Sequence, residues 1–231
     1  TGRAWAVKGG ICLRFFHRSQ RMSEDMDLDV VSKIPVKTLQ NAVDSLLNSR
    51  AFSVALLAEG IVRVRITRTK QTETTQRWKA GLQLGGGVEL STKIEFSRRK
   101  DRVESLTGVP GSGLLETHKM VPFAARYYGP VDMAAQKIRA LAAPGRHAAR
   151  DMFDLHHLIH VVVTPPAEVA DGIDRDDLAE AVEKVEFFSF GDFKEQVVPY
   201  LSEDLMGHFR TERNFNSMKS DVLRALGGMR S

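Results

Sequence analysis

The chain has 231 residues, 42% hydrophobic and 27% charged, which suits one large domain or two small ones with a core that needs no disulfide or structural metal. The single cysteine, Cys12, excludes an intrachain disulfide framework and fits a reducing compartment. With 33 Lys+Arg against 29 Asp+Glu the net charge is only +4, and no apolar run approaches the roughly 20 residues that cross a bilayer.

A short strand is expected near Ala4 to Lys8, then a Gly9-Gly10 turn and a helix from about Ile11 to His17. Met26 to Val30 alternates apolar and acidic side chains, the period of a half-buried strand. After Pro35, the stretch from Val36 to Leu47 places Val36, Leu39, Val43, Leu46 and Leu47 on one helical face. Ile61 to Thr69 and Val88 to Ser97 read as antiparallel strands. Lys70 to Gln76 reads as a polar turn between them, and Gly85 to Gly87 as a second turn. Ser105 to Gly113 has the Gly/Pro/Ser composition of a linker. Beyond it the pattern is helical: Val131 to Ala143, Ala148 to Val163 with a stop at Pro165-Pro166, Asp176 to Phe187, Phe190 to Leu205, and Asn216 to Leu226. These elements predict an α+β fold, a mixed-sheet domain over residues 1–110 followed by a helical C-terminal domain over 111–231, with a cleft between them. No signal peptide is visible, so a cytoplasmic, membrane-independent protein is expected. Thr1 stands close to a strongly patterned segment, which leads us to expect further native residues before it.

Charge is unevenly placed. Arg63, Arg65, Arg68, Lys70, Arg77, Lys79, Lys93, Arg98, Arg99, Lys100 and Arg102 crowd the middle of the chain. They are either solvated strand faces or the electrostatic footprint of a polyanion such as RNA or a nucleotide.

Chemistry concentrates in residues 7 to 29. Asp25 and Asp27 are two apart on an expected strand, so their carboxylates project from one face. Such a pair can hold a hard divalent cation completed by water and phosphate. It can equally be the solvated face of an edge strand, with Asp29 as its continuation. A calcium loop is excluded, because its sixth position would be Val30 instead of glycine and its twelfth Val36 instead of glutamate. Gly9-Gly10, between a strand and a helix, lets backbone amides approach phosphate at a helix N-terminus. It is neither a P-loop nor a dinucleotide fingerprint. Its weight comes from its place just ahead of the paired acids.

Lys8-Gly9-Gly10-x-x-Leu13-Arg14 followed by Arg21-x-Ser23-x-Asp25-x-Asp27 resembles the AbiEii/AbiGii-type nucleotidyltransferase toxins of the DNA polymerase β-like superfamily. Two further blocks extend the resemblance to residue 155: Ala135-Gln136-Lys137-Ile138-Arg139-Ala140-Leu141, and Arg150-Asp151-Met152-Phe153-Asp154-Leu155. The resemblance implies a nucleotidyltransferase fold and the toxin half of a type IV toxin–antitoxin pair. It implies Mg²⁺ (or Mn²⁺), NTP as substrate, tRNA modified at its 3′ acceptor end, and a cognate antitoxin encoded nearby. Where many superfamily members have Gly-Ser, this chain has Gly9-Gly10, so backbone would replace a serine contact.

On this reading Asp25 and Asp27 are catalytic metal ligands, with Glu95 as a third carboxylate from a neighbouring strand. Gly9, Gly10, Arg14, Ser23 and Lys137 bind nucleotide. Lys137 places a point charge on the triphosphate, and Asp151 orients a substrate group or assists proton transfer. Arg14 and Arg21 flank the acids, either neutralising them or binding phosphate. Arg150 and Asp154 are spaced for a helical ion pair. His156 and His160 share a spacing seen in zinc sites, but without a nearby Cys or the His-Glu-x-x-His pattern they read as packing. Cys12 lacks the partners of a nucleophile. Two other functions fit the same residues: nucleotidyl transfer to a protein hydroxyl, and a non-catalytic nucleotide- or RNA-binding module.

Overall fold

The computed structural model describes residues 4–98 and 104–229; Arg99, Lys100 and Arg102 of the basic stretch lie outside them. The chain divides into two compact units. One comprises Thr1–Ile11, Ser23–Val109 and Val121–Tyr127, and the other Cys12–Met22, Pro110–Met120 and Tyr128–Ser231. The fold is α+β, with a mixed sheet in the first unit and helices in the second.

The chain opens with β1 (Trp5–Lys8), α1 (Gly9–Phe16), β2 (Met26–Val30), α2 (Val36–Leu47) and α3 (Arg50–Ala58). Then come β3 (Ile61–Gln71), β4 (Thr75–Leu84), β5 (Glu89–Ser97), β6 (Ser105–Gly108), α4 (Ser112–Thr117) and β7 (Ala125–Tyr128). Among the described residues these strands form one sheet in the order β3-β4-β5-β2-β1-β7-β6. β1 runs antiparallel to β2 and parallel to β7, β2 runs parallel to β5, and β3-β4-β5 is an antiparallel meander.

Alternation along β4 decides which way its residues face. Trp78 and Ala80 are buried, whereas Lys79 and Gly81 are exposed. Trp78 packs edge-on to Phe96 at 6.0 Å between ring centroids, and its Nε1–H donates to Asp44 Oδ1 of α2 at 2.9 Å. A buried indole thus has its polar atom satisfied by the helix above it. The other face of the meander carries Arg63, Arg65, Lys79 and Ser91, all exposed.

The sequence reading missed β4. Polar residues around Lys70 to Gln76 look like a long turn, but the backbone N–H of Thr72 donates to the Thr75 carbonyl at 2.8 Å and closes the hairpin within a few residues. Helix α3 was also unforeseen; Ser49 caps it by accepting from the Phe52 N–H at 3.1 Å. The expected linker from Ser105 to Gly113 is instead strand β6 and the approach to α4, because β6 finds a place beside β7 at the end of the sheet.

The second unit continues with α5 (Pro130–Ala142), α6 (Ala149–His156), α7 (Pro166–Ala170), α8 (Arg175–Phe187), α9 (Phe190–Gln196), α10 (Glu203–His208) and α11 (Glu212–Gly228). Met133, Ile138 and Leu141 of α5 are buried together with Leu178 and Val185 of α8 and Met218 and Val222 of α11. Phe193 packs against Phe209 at 5.1 Å and Phe215 at 5.3 Å, and burial of each such ring stabilises the fold by roughly 1.5–3 kcal/mol. The single helix expected from Phe190 to Leu205 is broken. Pro199 has no N–H to continue the ladder, and a short 3-10 turn (Val198–Tyr200) separates α9 from α10. After α6 the chain widens into a π-helical turn, His157–Val161, before Pro165-Pro166.

Candidate active site

Sheet register gathers the acidic pair with residues distant in sequence. β2 lies between β1 and β5, so Asp27 stands opposite Lys8 on one side and Glu95 on the other. Asp25 directly precedes β2 and still shares a face with Asp27. Lys93 Nζ bridges them, 3.1 Å from Asp25 Oδ2 and 3.8 Å from Asp27 Oδ1. The Glu95 carboxylate accepts from Arg77 Nε of β4 at 2.6 Å. Asp29 is buried and pairs with Lys8 at 2.6 Å. Ser23 donates its hydroxyl to the Asp25 backbone carbonyl at 3.3 Å.

Gly9 begins α1 with φ of +66°, a left-handed value that glycine adopts without steric cost. A Cβ at this position would stand 2.8 Å from Asp27 Oδ2 and 3.3 Å from Asp27 Cβ. Two independent constraints therefore demand glycine here: the backbone angle, and a carboxylate lying directly on the main chain.

Burial holds the Asp27 carboxyl above its ordinary pKa; Lys93 and Lys8 pull it down, while Glu95 and Asp25 push it further up. Charge so crowded is relieved by an added cation, and oxygen donors suit a hard divalent one. Among the described residues no three His, Cys, Asp or Glu side chains are grouped to hold a metal ion by themselves. A cation at Asp25 and Asp27 would accordingly complete its shell with water and phosphate oxygens, as Mg²⁺ commonly does.

In the second unit lies a buried ionic network. Asp154 accepts two hydrogen bonds from Arg21, Nε and Nη2 each at 2.8 Å, and receives Lys137 Nζ at 2.6 Å. The same ammonium lies 2.8 Å from Asp151 Oδ1, and Arg146 Nε donates to Asp151 Oδ2 at 2.7 Å. Burial works against a charged Lys137, but the Asp151 and Asp154 carboxylates outweigh it and raise the pKa. Burial likewise opposes ionisation of Asp154, and Lys137 and Arg21 overcome it and hold that pKa down. Asp151 and Asp154 thus engage two of the three ammonium N–H groups of Lys137, and among the described residues one is left for a further acceptor.

These contacts correct two expectations. Asp154 pairs with Arg21 and Lys137 rather than with Arg150, because a fully buried carboxylate needs both oxygens satisfied and a planar guanidinium from another segment does this bidentately. Arg21, read as neutralising the paired acids or binding phosphate, gives Nε and Nη2 to Asp154 and Nη1 to the Met22 carbonyl at 2.9 Å. Arg14 donates to the Ser19 carbonyl at 2.9 Å.

Sequence reasoning did not single out Lys93 or Arg146. Lys93 sits two residues before Glu95, and a strand facing an acidic strand is the signal that would have raised it. Arg146 lies in a turn with no periodicity to mark it. Of the histidines, His157 bonds the His17 carbonyl at 2.7 Å, and burial lowers the His156 pKa to about 4. Burial pushes the Cys12 thiol up to about 12, which leaves it unreactive as a nucleophile.

A family model described as "Nucleotidyl transferase AbiEii toxin, Type IV TA system" matches residues 2–226. JHP933 from Helicobacter pylori, a solved structure, is 21% identical with a TM-score of 0.54, covering 97% of this chain and 86% of that one. MenT4, a nucleotidyltransferase toxin from Mycobacterium tuberculosis, is 14% identical with a TM-score of 0.58, covering 98% and 85%. At these identities the likeness to the two structures is one of fold. No curated protein sequence gives a match.

Proposed function

This chain belongs to the nucleotidyl transferase AbiEii toxin family of type IV toxin–antitoxin systems, and from that premise we propose that it transfers NMP from an NTP to RNA. The acceptor is the 3′ end of tRNA, and its modification blocks translation in the cytoplasm. A cognate antitoxin is the partner that the family implies.

One observation carries this reading: Asp25 and Asp27 share a face, bridged by Lys93, with Gly9 pressed against the Asp27 carboxylate. Asp25 and Asp27 would hold Mg²⁺ (or Mn²⁺), which when bound activates an attacking hydroxyl and neutralises charge on the leaving pyrophosphate. Glu95, the third carboxylate expected, is bound to Arg77 and is not grouped with them around a metal among the described residues. Gly9 and Gly10 leave the first amides of α1 open to phosphate oxygens. Lys93 rests on both carboxylates and opposes the burial that raises the Asp27 pKa. Lys137 offers its third N–H to a phosphate oxygen, held charged by Asp151 and Asp154. Asp151 itself orients that ammonium. Transfer of this kind depends on positioning and charge neutralisation, with no covalent enzyme intermediate. Ser23 and Arg14, each bonded to backbone, are assigned to shaping the turn that presents Asp25 and the helix α1 that follows Gly9.

The test is incubation of purified protein with Mg²⁺, total RNA and each α-labelled NTP, beside Asp27→Ala and Lys137→Ala. Label in RNA from wild type, lost in both variants, is the expected result. Label in protein alone would redirect the transfer to a protein hydroxyl, and no label under any NTP would leave the binding-module reading in its place.

A further inference from the structure

We propose that the open face of the β3-β4-β5 meander is the surface that grips the phosphodiester backbone of single-stranded RNA, in a groove walled by Arg63 and Arg65 and floored by Gly81. The inference rests on RNA being the acceptor, and it assigns the place where that acceptor is held.

A depression of about 300 Å³ lies on this face, lined by Arg63 and Arg65 of β3, Gly81 and Gln83 of β4, and Ser91 of β5. Its shape follows from register. Arg65 stands opposite Gly81, and Gly81 opposite Ser91, so one row across the three strands runs long, absent, short. The missing side chain at Gly81 makes the floor, and the nearest atom to a Cβ there would be Arg65 Cβ at 4.0 Å. Nothing in the backbone requires glycine at this position, since its φ lies outside the left-handed range. An interior strand position normally gains from a side chain, so a space left open beside two arginines points to a group that enters it.

The chemistry of the groove selects the guest. Arg63 and Arg65 are exposed and lie two residues apart, so they project from the same face about 6.6 Å from each other along the strand. Neither takes part in an ion pair with a described residue. Gln83 and Ser91 add neutral donors suited to phosphate or 2′-hydroxyl oxygens. Glu89, opposite Gln83, marks the far end with a negative charge. Leu90 is the one aliphatic side chain among the lining residues. A protein partner would want an apolar centre here, whereas nucleic-acid interfaces are polar and positive.

The groove is also continuous with the acidic pair. The next row on this face pairs Lys79 with Lys93, and the row beyond pairs Arg77 with Glu95, which stands beside Asp27. Cationic side chains therefore lead across one surface of one sheet from Arg65 to Lys93, whose ammonium rests on Asp25 and Asp27. A strand of RNA laid along them is drawn electrostatically toward the residues that act on its end.

The experiment is binding of a short, labelled single-stranded RNA by fluorescence anisotropy across a salt series, without NTP or divalent cation. The double variant Arg63→Gln/Arg65→Gln is expected to bind about tenfold more weakly, with the log–log salt slope reduced by about 1.4, or ~0.7 for each phosphate that the groove no longer neutralises. Gly81→Glu, which fits the backbone and puts a carboxylate on the groove floor, should weaken binding as well, and by more than Gly81→Gln of equal bulk. All three variants should melt as wild type does, since they alter surface positions. Unchanged affinity and slope in the double variant overturn the proposal, as does a weakening confined to an acidic polypeptide probe such as poly-glutamate. The two readings fail separately. Wild type that binds RNA through Arg63 and Arg65 but labels none of it removes the transfer and keeps the groove. Wild type and double variant that label RNA with the same KM keep the transfer and remove the groove.

Discussion

Lys137 Nζ lies 2.6 Å from Asp154 Oδ2, and both side chains are almost wholly removed from water. The lysine occupies the apolar stripe of α5, one helical turn from Met133 and from Leu141, so it could only be carried there as half of a pair. Arg21 completes the neutralisation of Asp154 from the other side with a bidentate contact. What holds this charge in place is the fold, and what the charge does depends on its staying there.

Removing Asp154 should be costly to stability. Asp154→Ala leaves Arg21 and Lys137 buried against one another, and breaking a buried pair in this way costs roughly 3–5 kcal/mol. Urea unfolding of wild type and variant measures it. A loss below about 1 kcal/mol, the range of a surface ion pair, would mean that water reaches the network freely.

The same network sets a pH dependence whose sign follows from its two shifts. Asp154 has a lowered pKa, so its contribution is present above the unfolded value near 3.9 and is lost as pH falls through the folded one. Lys137 has a raised pKa, so its contribution is present below the unfolded value near 10.4 and is lost as pH rises through the folded one. The stability gap between wild type and Asp154→Ala is therefore expected to be flat from about pH 5 to 9, and to shrink in stronger acid, where the Asp154 contribution is lost, and in stronger base, where that of Lys137 is. A gap that closes between pH 7 and pH 5 would contradict the lowered Asp154 pKa.

Asp27 shows the opposite sign. Its raised pKa means that folding disfavours its ionised form at neutral pH, a penalty relieved as pH falls through the folded value. Asp27→Asn should melt at a higher temperature than wild type at pH 7 and should lose transfer activity more than about a hundredfold, beyond what removing a partner that merely orients a metal ligand costs. Mg²⁺ should raise the melting temperature of wild type and leave that of Asp27→Asn where it is. A variant that is destabilised, or still stabilised by Mg²⁺, would count against a cation at this pair.

Gly9→Ala tests the contact between main chain and carboxylate. A left-handed angle costs an L-residue about 1–2 kcal/mol, and the added Cβ would meet Asp27 Oδ2 at 2.8 Å. Thermal melts should show the strain, and the displaced Asp27 should lower kcat. Full activity together with wild-type stability would show that this backbone angle is dispensable.

Much of this site is local and was legible in the residues themselves. Asp25 and Asp27 are two apart, and a strand period of two puts both on one face wherever that strand lies. Gly9-Gly10 marks a strand-to-helix turn, and the periodicity of Val131 to Ala143 marks the helix that carries Lys137, though the burial of that lysine emerged only from the packed chain. The partners of these groups are another matter. Lys93 reaches Asp25 and Asp27 because β2 pairs in parallel with β5, a register between segments that no short-range pattern encodes. β4 was hidden because Gln76, Arg77, Lys79 and Gly81 mask the buried Trp78 and Ala80 between them. Arg150 looked like the partner of Asp154 by helical spacing, and Arg21 took that place. A buried carboxylate is matched by whichever cation the packed chain delivers without water, and the separation along the sequence does not enter that balance. The residues by themselves determined which groups carry charge and on which faces; tertiary packing decided which charges meet, because desolvation makes each buried ion depend on a neighbour that only the folded chain supplies.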